Sequence, residues 1–222
     1  MNNKTIIYYT ANREDPEFEE KIRGNILKQK GDLPIISVSQ KPIDFGKNIC
    51  VGDVGNSYIN AWRQILIGAK EAKTEYVVMA EADFLYPQEY FEFDPEEADV
   101  YKYSNVWIIF TWKFNYFFRK DYSEGAQICK REYLIKALEE HLEGQPEWYD
   151  GRFVIKDKKG RHKKSPFIRP NESFGGDIPC VSFKTGKGVR WMTDFMKGRN
   201  NMARRLPYWG HFENLKKDFM SL

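Results

Sequence analysis

Apolar residues along the amino-terminal part of the chain fall alternately into unbroken runs and into helical spacing. KTIIYYT at residues 4–10 is β-branched and aromatic and predicts a strand. Residues 14–30 carry Phe18, Ile22, Ile26 and Leu27 at helical spacing, and Gly31-Asp32 supplies the stop. LPIISVS at 33–39 predicts a second strand, and a strand, helix, strand succession favours a parallel sheet. The loop VGDVGN at 51–56 leads into a helix expected over 57–73, with Ala61, Ile65, Ala69 and Ala72 on one side. YVVMAEADFLYP at 76–87 then gives an apolar run bounded by charge, as in a buried strand.

The later pattern is less regular. An acidic segment at 89–99 precedes a further strand expected over 101–111, followed by the aromatic crowd Trp112, Phe114, Tyr116, Phe117 and Phe118. Those rings suit either core packing or a stacking platform for a sugar or base. SEGAQIC at 123–129 leads into a helix expected over 130–143, and residues 152–170 read as a hairpin or loop with a lysine-rich tip. The expected fold class is α/β: a mixed, mainly parallel sheet flanked by helices, in a single domain over 1–222.

Composition narrows the class. A hydrophobic content of 41% in 222 residues suffices for a proper core. Cys50, Cys129 and Cys180 are odd in number and lack metal-ligand spacing, which argues against a disulfide framework or zinc site and for a reducing, cytoplasmic compartment. No run approaches the length of a membrane span. The net charge of +3 conceals an asymmetry: residues 1–150 hold 18 basic and 26 acidic side chains, or −8, and residues 151–222 hold 17 and 6, or +11. The basic third favours phosphate-rich partners, a nucleotide diphosphate or a nucleic acid backbone, unless it is neutralised by the acidic part.

The chemistry gathers where the strand at 76 should end. Glu81 and Asp83 are two apart, so in an extended segment both point to one side. Two hard oxygen ligands there suit Mg²⁺ or Mn²⁺, leaving positions for water and substrate phosphate. The alternative is a strand end bearing solvated acids. The 51–56 loop is neither a P-loop nor GxGxxG, yet its backbone N–H groups at a helix start can receive phosphate.

From Gly55 to Pro87 the chain resembles the amino-terminal half of GT-A-fold glycosyltransferases. Trp62-Arg63-Gln64 stands in the place of their Ala-Arg-Asn element, and Glu81-Ala82-Asp83 in that of Asp-X-Asp. The resemblance implies a nucleotide-sugar donor with a divalent metal (Mn or Mg) on its diphosphate, Asp83 being the better direct ligand and Glu81 the second. It also implies that Thr10, Asn12 and Arg13 border the nucleotide, that Arg63 reaches the base or diphosphate, and that Glu124, Gly125 and Ala126 neighbour the sugar. His211 would complete the metal shell, and Lys187 and Arg190 would clamp the departing diphosphate. Residues 1–110 would then form the nucleotide-sugar half and 111–222 the acceptor half.

An inverting transfer needs a carboxylate base, for which Asp177 after Gly175-Gly176 is the first candidate and Glu172 the second; a turn-forming Asp explains Asp177 equally well. The charge run with Lys158, Lys159, Arg161, Lys163 and Lys164 reads as a contact to a nucleic acid backbone or as a solvated turn. Together these give a metal-dependent glycosyltransferase whose acceptor is expected to be a nucleic acid, such as a hydroxymethylated base in viral DNA, acting in the host cytoplasm. The alternatives are a transferase for surface polysaccharide or glycan and a non-catalytic nucleic-acid-binding protein of the same fold. A nucleotidyltransferase ranks below these, because residues 11–16 contain no glycine.

Overall fold

Three of the apolar runs lie side by side as parallel strands at the centre of the molecule. The computed structural model describes residues 3–120, 123–151, 172–187 and 201–220. In chain order the elements are β1 (Lys4–Thr10), α1 (Pro16–Gln29), β2 (Ile35–Ser39), β3 (Lys47–Cys50), α2 (Tyr58–Glu71), β4 (Tyr76–Glu81), β5 (Phe84–Leu85), α3 (Gln88–Glu92), β6 (Val100–Tyr103), β7 (Val106–Phe110), β8 (Phe117–Lys120), β9 (Gln127–Lys130) and α4 (Arg131–Leu142). After these come β10 (Glu172–Phe174), β11 (Cys180–Lys184), β12 (Met202–Ala203), β13 (Arg205–Leu206), β14 (Gly210–His211) and α5 (Phe212–Phe219).

The main sheet has the order β10-β6-β9-β4-β1-β2-β3. Strands β4, β1, β2 and β3 are parallel, β9 is antiparallel to both of its neighbours, and β10 is parallel to β6. This is the mixed, mainly parallel α/β architecture that the sequence predicts. Ile6, Tyr8 and Val78 pack with Phe18, Ile22 and Ile26 of α1, while Ile7, Val77 and Met79 pack with Ile59 and Ile65 of α2 and Leu134 of α4. Burial on both faces explains why these strands read as continuous apolar runs. Gly68 brings α2 close to β1, since a Cβ there would lie 2.6 Å from Ile7 Cγ2.

Capping fixes where the two site-bearing helices begin. Asp15 accepts hydrogen bonds from the Glu17 and Phe18 amides ahead of Pro16, and Ser57 accepts from the Asn60 amide. Each cap leaves the preceding loop at the carboxyl edge of the sheet.

A second sheet, β12-β8-β7-β11-β5, adjoins the first. The chain passes from β4 into β5 through Ala82-Asp83, so it changes sheets at the carboxylate motif. The single strand expected over 101–111 is in fact two, β6 in the main sheet and β7 in the second. The break is at Ser104-Asn105, whose backbone is tied to later chain: Ser104 N donates to Phe174 O at 2.8 Å, and Asn105 O accepts from Cys180 N at 2.9 Å. Strands β3 and β9 were not expected from the sequence, because β3 is a short, partly exposed edge and β9 lies within a small-residue stretch. In the aromatic crowd, Phe117 and Phe118 are buried and Trp112 is 52% exposed. The charge run at Lys158, Lys159, Arg161, Lys163 and Lys164, and Arg190, lie outside the described residues. No helix among the described residues is long and apolar enough to cross a membrane.

Candidate active site

The order β3-β2-β1-β4 means that the chain moves outward from β1 in one direction, then returns to add β4 on the other side of β1. Connections leaving β1 and β4 therefore diverge, and a crevice opens between them at the carboxyl ends of the strands. In the register, Tyr9 lies opposite Glu81 and Thr10 opposite Ser39.

A cleft of about 150 Å³ occupies this place. Thr10 reaches it from the end of β1, Ala11, Arg13 and Glu14 from the β1–α1 connection, and Gly55, Asn56 and Ser57 from the loop before α2. Asn60, Ala61 and Gln64 reach it from α2 itself, and Tyr9, Glu19, Gln40, Glu81, Ala82, Asp83 and Lys187 complete the lining. The amino end of α2 thus fronts the cleft, where its free amides and dipole favour an anion.

Amide side chains hold the α2 loop against the sheet. Asn60 Nδ2 donates to Val54 O at 2.7 Å, Gly55 O at 3.0 Å and Tyr149 O at 2.8 Å, and its Oδ1 accepts from Tyr149 N at 2.9 Å. Gln40 Nε2 donates to Gly55 O at 2.6 Å, and its Oε1 accepts from Val54 N at 3.3 Å. Gly55 has φ +83, a conformation that its lack of a side chain permits. Arg13 joins the two connections by an ion pair of 2.8 Å to Asp53.

Acidic groups dominate the other end. Tyr9 donates its hydroxyl proton to Glu81 Oε1 at 2.5 Å, and Lys184 Nζ lies 3.3 Å from Asp83 Oδ2. Asp83 O accepts from Phe183 N at 2.7 Å, which fixes the turn against β11. Burial, then the neighbouring Asp83 charge, pushes the Glu81 carboxyl up to about 7, against the opposing pull of Lys184 and the Tyr9 hydrogen bond. Glu14 is also pushed up to about 7, first by burial and then by Asp83, although Thr185 Oγ1 donates to it at 2.6 Å and Lys187 stabilises its charge. Burial and Glu81 hold Tyr9 protonated, so it remains a donor.

Asp83 Oδ1 is buried and accepts no hydrogen bond among the described residues. Such an atom is costly without a partner. A hard divalent cation with several remaining positions for water and phosphate fits this arrangement of carboxylates. No group of three or more His, Cys, Asp or Glu side chains suited to holding a metal occurs among the described residues.

Of the residues singled out from the sequence, the cleft brings together Thr10, Arg13, Glu81, Ala82, Asp83 and Lys187. The strand ends at Glu81 and Asp83 lies in the following turn, so a turn, and not strand alternation, sets the Asp83 side chain. Asn12 stands just behind, with Oδ1 accepting from the Gln40 and Lys41 amides at 2.9 Å each. Gly125 supports the cleft from outside, since a Cβ there would lie 2.4 Å from Glu81 Cδ, and Ala126 is buried in the core.

Four further assignments lie away from the cleft. Arg63 turns away: its guanidinium donates to Gln145 O at 3.1 Å and Pro146 O at 2.7 Å. His211 caps α5, with Nδ1 accepting from Glu213 N at 3.4 Å. Glu172 is exposed on β10, the sheet edge separated from β4 by β6 and β9, and Asp177 is exposed in the connection after it. Sequence reasoning missed Tyr9, Glu14, Gln64 and Lys184. Gln64 was legible in part, because Asn60 and Gln64 are four apart on a helix and so share a face, from which Arg63 is turned.

No family model matches the chain, and no curated protein matches it significantly. Solved structures similar to it include TarS from S. aureus in complex with UDP-GlcNAc, 9% identical over 88% of this chain and 61% of that one, with a TM-score of 0.47. The mannosyltransferase PcManGT from Pyrobaculum calidifontis, in complex with GDP-Man and Mn²⁺, is 16% identical over 87% of this chain and 58% of that one, with a TM-score of 0.44. The bifunctional IspDF from Campylobacter jejuni is 14% identical over 72% and 52%, with a TM-score of 0.43. The chain spans between 52% and 61% of the length of these three.

Proposed function

We propose that the protein is a glycosyltransferase of GT-A-like architecture that takes a nucleotide-sugar donor. The observation that carries this reading is the meeting of Glu81 and Asp83, with the Asp83 Oδ1 atom lacking a partner among the described residues, and the amino end of α2 in one cleft at the β1–β4 switch point. A nucleotide lies naturally in such a crevice, and its diphosphate carries the negative charge that the helix end and Lys187 attract. When bound, a divalent cation supplies charge stabilisation for the leaving diphosphate, and Asp83 with Glu81 would hold it. Tyr9 orients the Glu81 carboxylate through its hydroxyl, Gly125 leaves room for that carboxylate, and Lys187 adds a positive charge at the phosphate end. Nucleotide contacts come mainly from residues 1–110, with Lys187 contributed by the later chain. No part in the transfer step is assigned to Asp177, Glu172 or His211, which lie outside the cleft.

The acceptor reading is a nucleic acid, with a hydroxymethylated base as the reacting group, and it rests on the +11 charge of residues 151–222. A donor screen tests both levels. Purified protein with Mn²⁺ or Mg²⁺ is incubated with a panel of nucleotide sugars, with and without hydroxymethylcytosine DNA, and nucleoside diphosphate release is read. Release that requires metal and DNA supports the whole reading. Release indifferent to DNA overturns the acceptor and leaves a glycan transferase, and DNA binding without any release favours a non-catalytic binder.

A further inference from the structure

Three buried amide side chains, Gln40, Asn60 and Gln64, line the cleft, and two of them have spent both ends on the protein. Asn60 and Gln40 each use nitrogen and oxygen in the hydrogen bonds that pin the 54–55 backbone. Gln64 differs. Its Nε2 donates to Thr10 O at 2.8 Å and to Val38 O at 2.9 Å, which occupies both of its N–H groups. Its Oε1 accepts no hydrogen bond among the described residues, and it is not among the atoms sealed from solvent without a partner. Gln64 is 2% exposed and lines the cleft, so the little surface it keeps includes this oxygen.

The orientation of this amide is set by chemistry. Flipping it would turn the oxygen against two backbone carbonyl oxygens and leave two buried acceptors without donors. Gln64 therefore presents a fixed acceptor and no donor. A phosphate cannot use it, since an ionised phosphate oxygen is itself an acceptor. Its position also separates it from the acidic end: the anchoring carbonyls belong to β1 and β2, whereas Asp83 follows β4 on the other side of β1. The offset is one to two strand spacings of about 4.8 Å each, comparable with the distance between the diphosphate and the base of a nucleotide.

We infer that Gln64 is the residue that reads the nucleobase, by accepting an N–H from the base edge, and that Arg63 has no part in this. The inference rests on the nucleotide-sugar reading of the cleft. The cost of presenting the wrong group there is high, because a buried acceptor left facing a methyl group or another acceptor loses its solvation without compensation.

The test is a cycle between a protein change and a ligand change, so that any general weakening caused by Gln64→Met cancels. Binding of UDP, GDP, CDP and ADP with Mn²⁺ is measured by calorimetry, and the tightest ligand is paired with its analogue methylated at the base N–H, for example 3-methyl-UDP. In the parent protein methylation is expected to weaken binding about tenfold, and in Gln64→Met it is expected to have no further effect. The 2′- and 3′-deoxy forms serve as the ribose arm. An equal methylation penalty in both proteins, or coupling of Gln64 to a ribose hydroxyl in place of the base, overturns the inference while leaving the nucleotide site intact. Failure of all four nucleotides to bind overturns the nucleotide reading and this inference with it.

Discussion

The Lys184 ammonium lies 3.3 Å from Asp83 Oδ2, while Asp83 Oδ1 is buried with no hydrogen-bond partner among the described residues. One oxygen of the carboxylate is thus neutralised by the protein and the other is left for a ligand. Asp83→Asn keeps the shape and removes the charge. It is expected to weaken Mn²⁺ binding at least about tenfold and to lower turnover about 10²-fold or more, with little loss of thermal stability. Electron paramagnetic resonance titration of Mn²⁺ reads the first effect, and unchanged affinity would remove Asp83 from the metal site.

Glu14 gives the metal-free protein a defined pH response. Its folded pKa of about 7 stands above the ordinary 4.5, so between these values the folded chain retains a proton that the unfolded chain releases. Stability from this group is intact below 4.5, falls as pH rises toward 7, and is fully lost above it. The loss is at most about 3 kcal/mol and is smaller to the extent that solvent reaches the group. With a chelator present, the melting temperature of the parent should decline from about pH 5.5 to 8 more steeply than that of Glu14→Gln. Parallel profiles for the two proteins would contradict the shift.

Gly125→Ala places a methyl group against the Glu81 carboxylate, only 2.4 Å from Cδ in the present geometry. Either the carboxylate or the β9 approach must move. A destabilisation of about 1–3 kcal/mol is expected in urea unfolding, together with weaker metal affinity. Full retention of both properties would mean that Glu81 relocates freely.

Asn60→Ala removes the amide that holds Val54 O, Gly55 O and Tyr149 O. About 2–3 kcal/mol of stability is expected to go with it, since buried carbonyls lose their donor. Limited proteolysis should then cut near residues 51–56 before any other described loop, and an unchanged cleavage order would argue against the pinning role.

Arg63→Ala is the counterpart outside the cleft. Because the guanidinium is engaged by Gln145 O and Pro146 O, nucleotide affinity is expected to stay within about twofold of the parent, with a modest stability loss of about 1 kcal/mol. A tenfold fall in affinity would return Arg63 to the site.

The strands and helices that carry the cleft were legible because burial on two faces leaves a mark in the sequence. The runs at 6–9 and 76–80 are apolar or aromatic throughout, and Ser57 and Asp15 announce the helices that follow. What was not legible depends on partners distant in the chain. Residues 101–111 look like one strand because nothing local reveals that Ser104 and Asn105 bond to Phe174 and Cys180. Asp177 looked like a base from its double glycine alone, yet the edge position of β10 decides where it goes. Glu14 gave no signal either, since its raised pKa arises from burial and from the nearby Asp83 charge, an environment that exists only in the folded chain.

The passage of the chain from β4 to β5 through Ala82-Asp83 has a mechanical side. Asp83 belongs to neither sheet, but its carbonyl is bonded to β11 and its neighbour Glu81 to β1 through Tyr9. Any sliding of one sheet over the other must therefore change the separation of the two carboxylates, so that occupancy of the cleft and the relative placement of the sheets are two readings of a single coordinate.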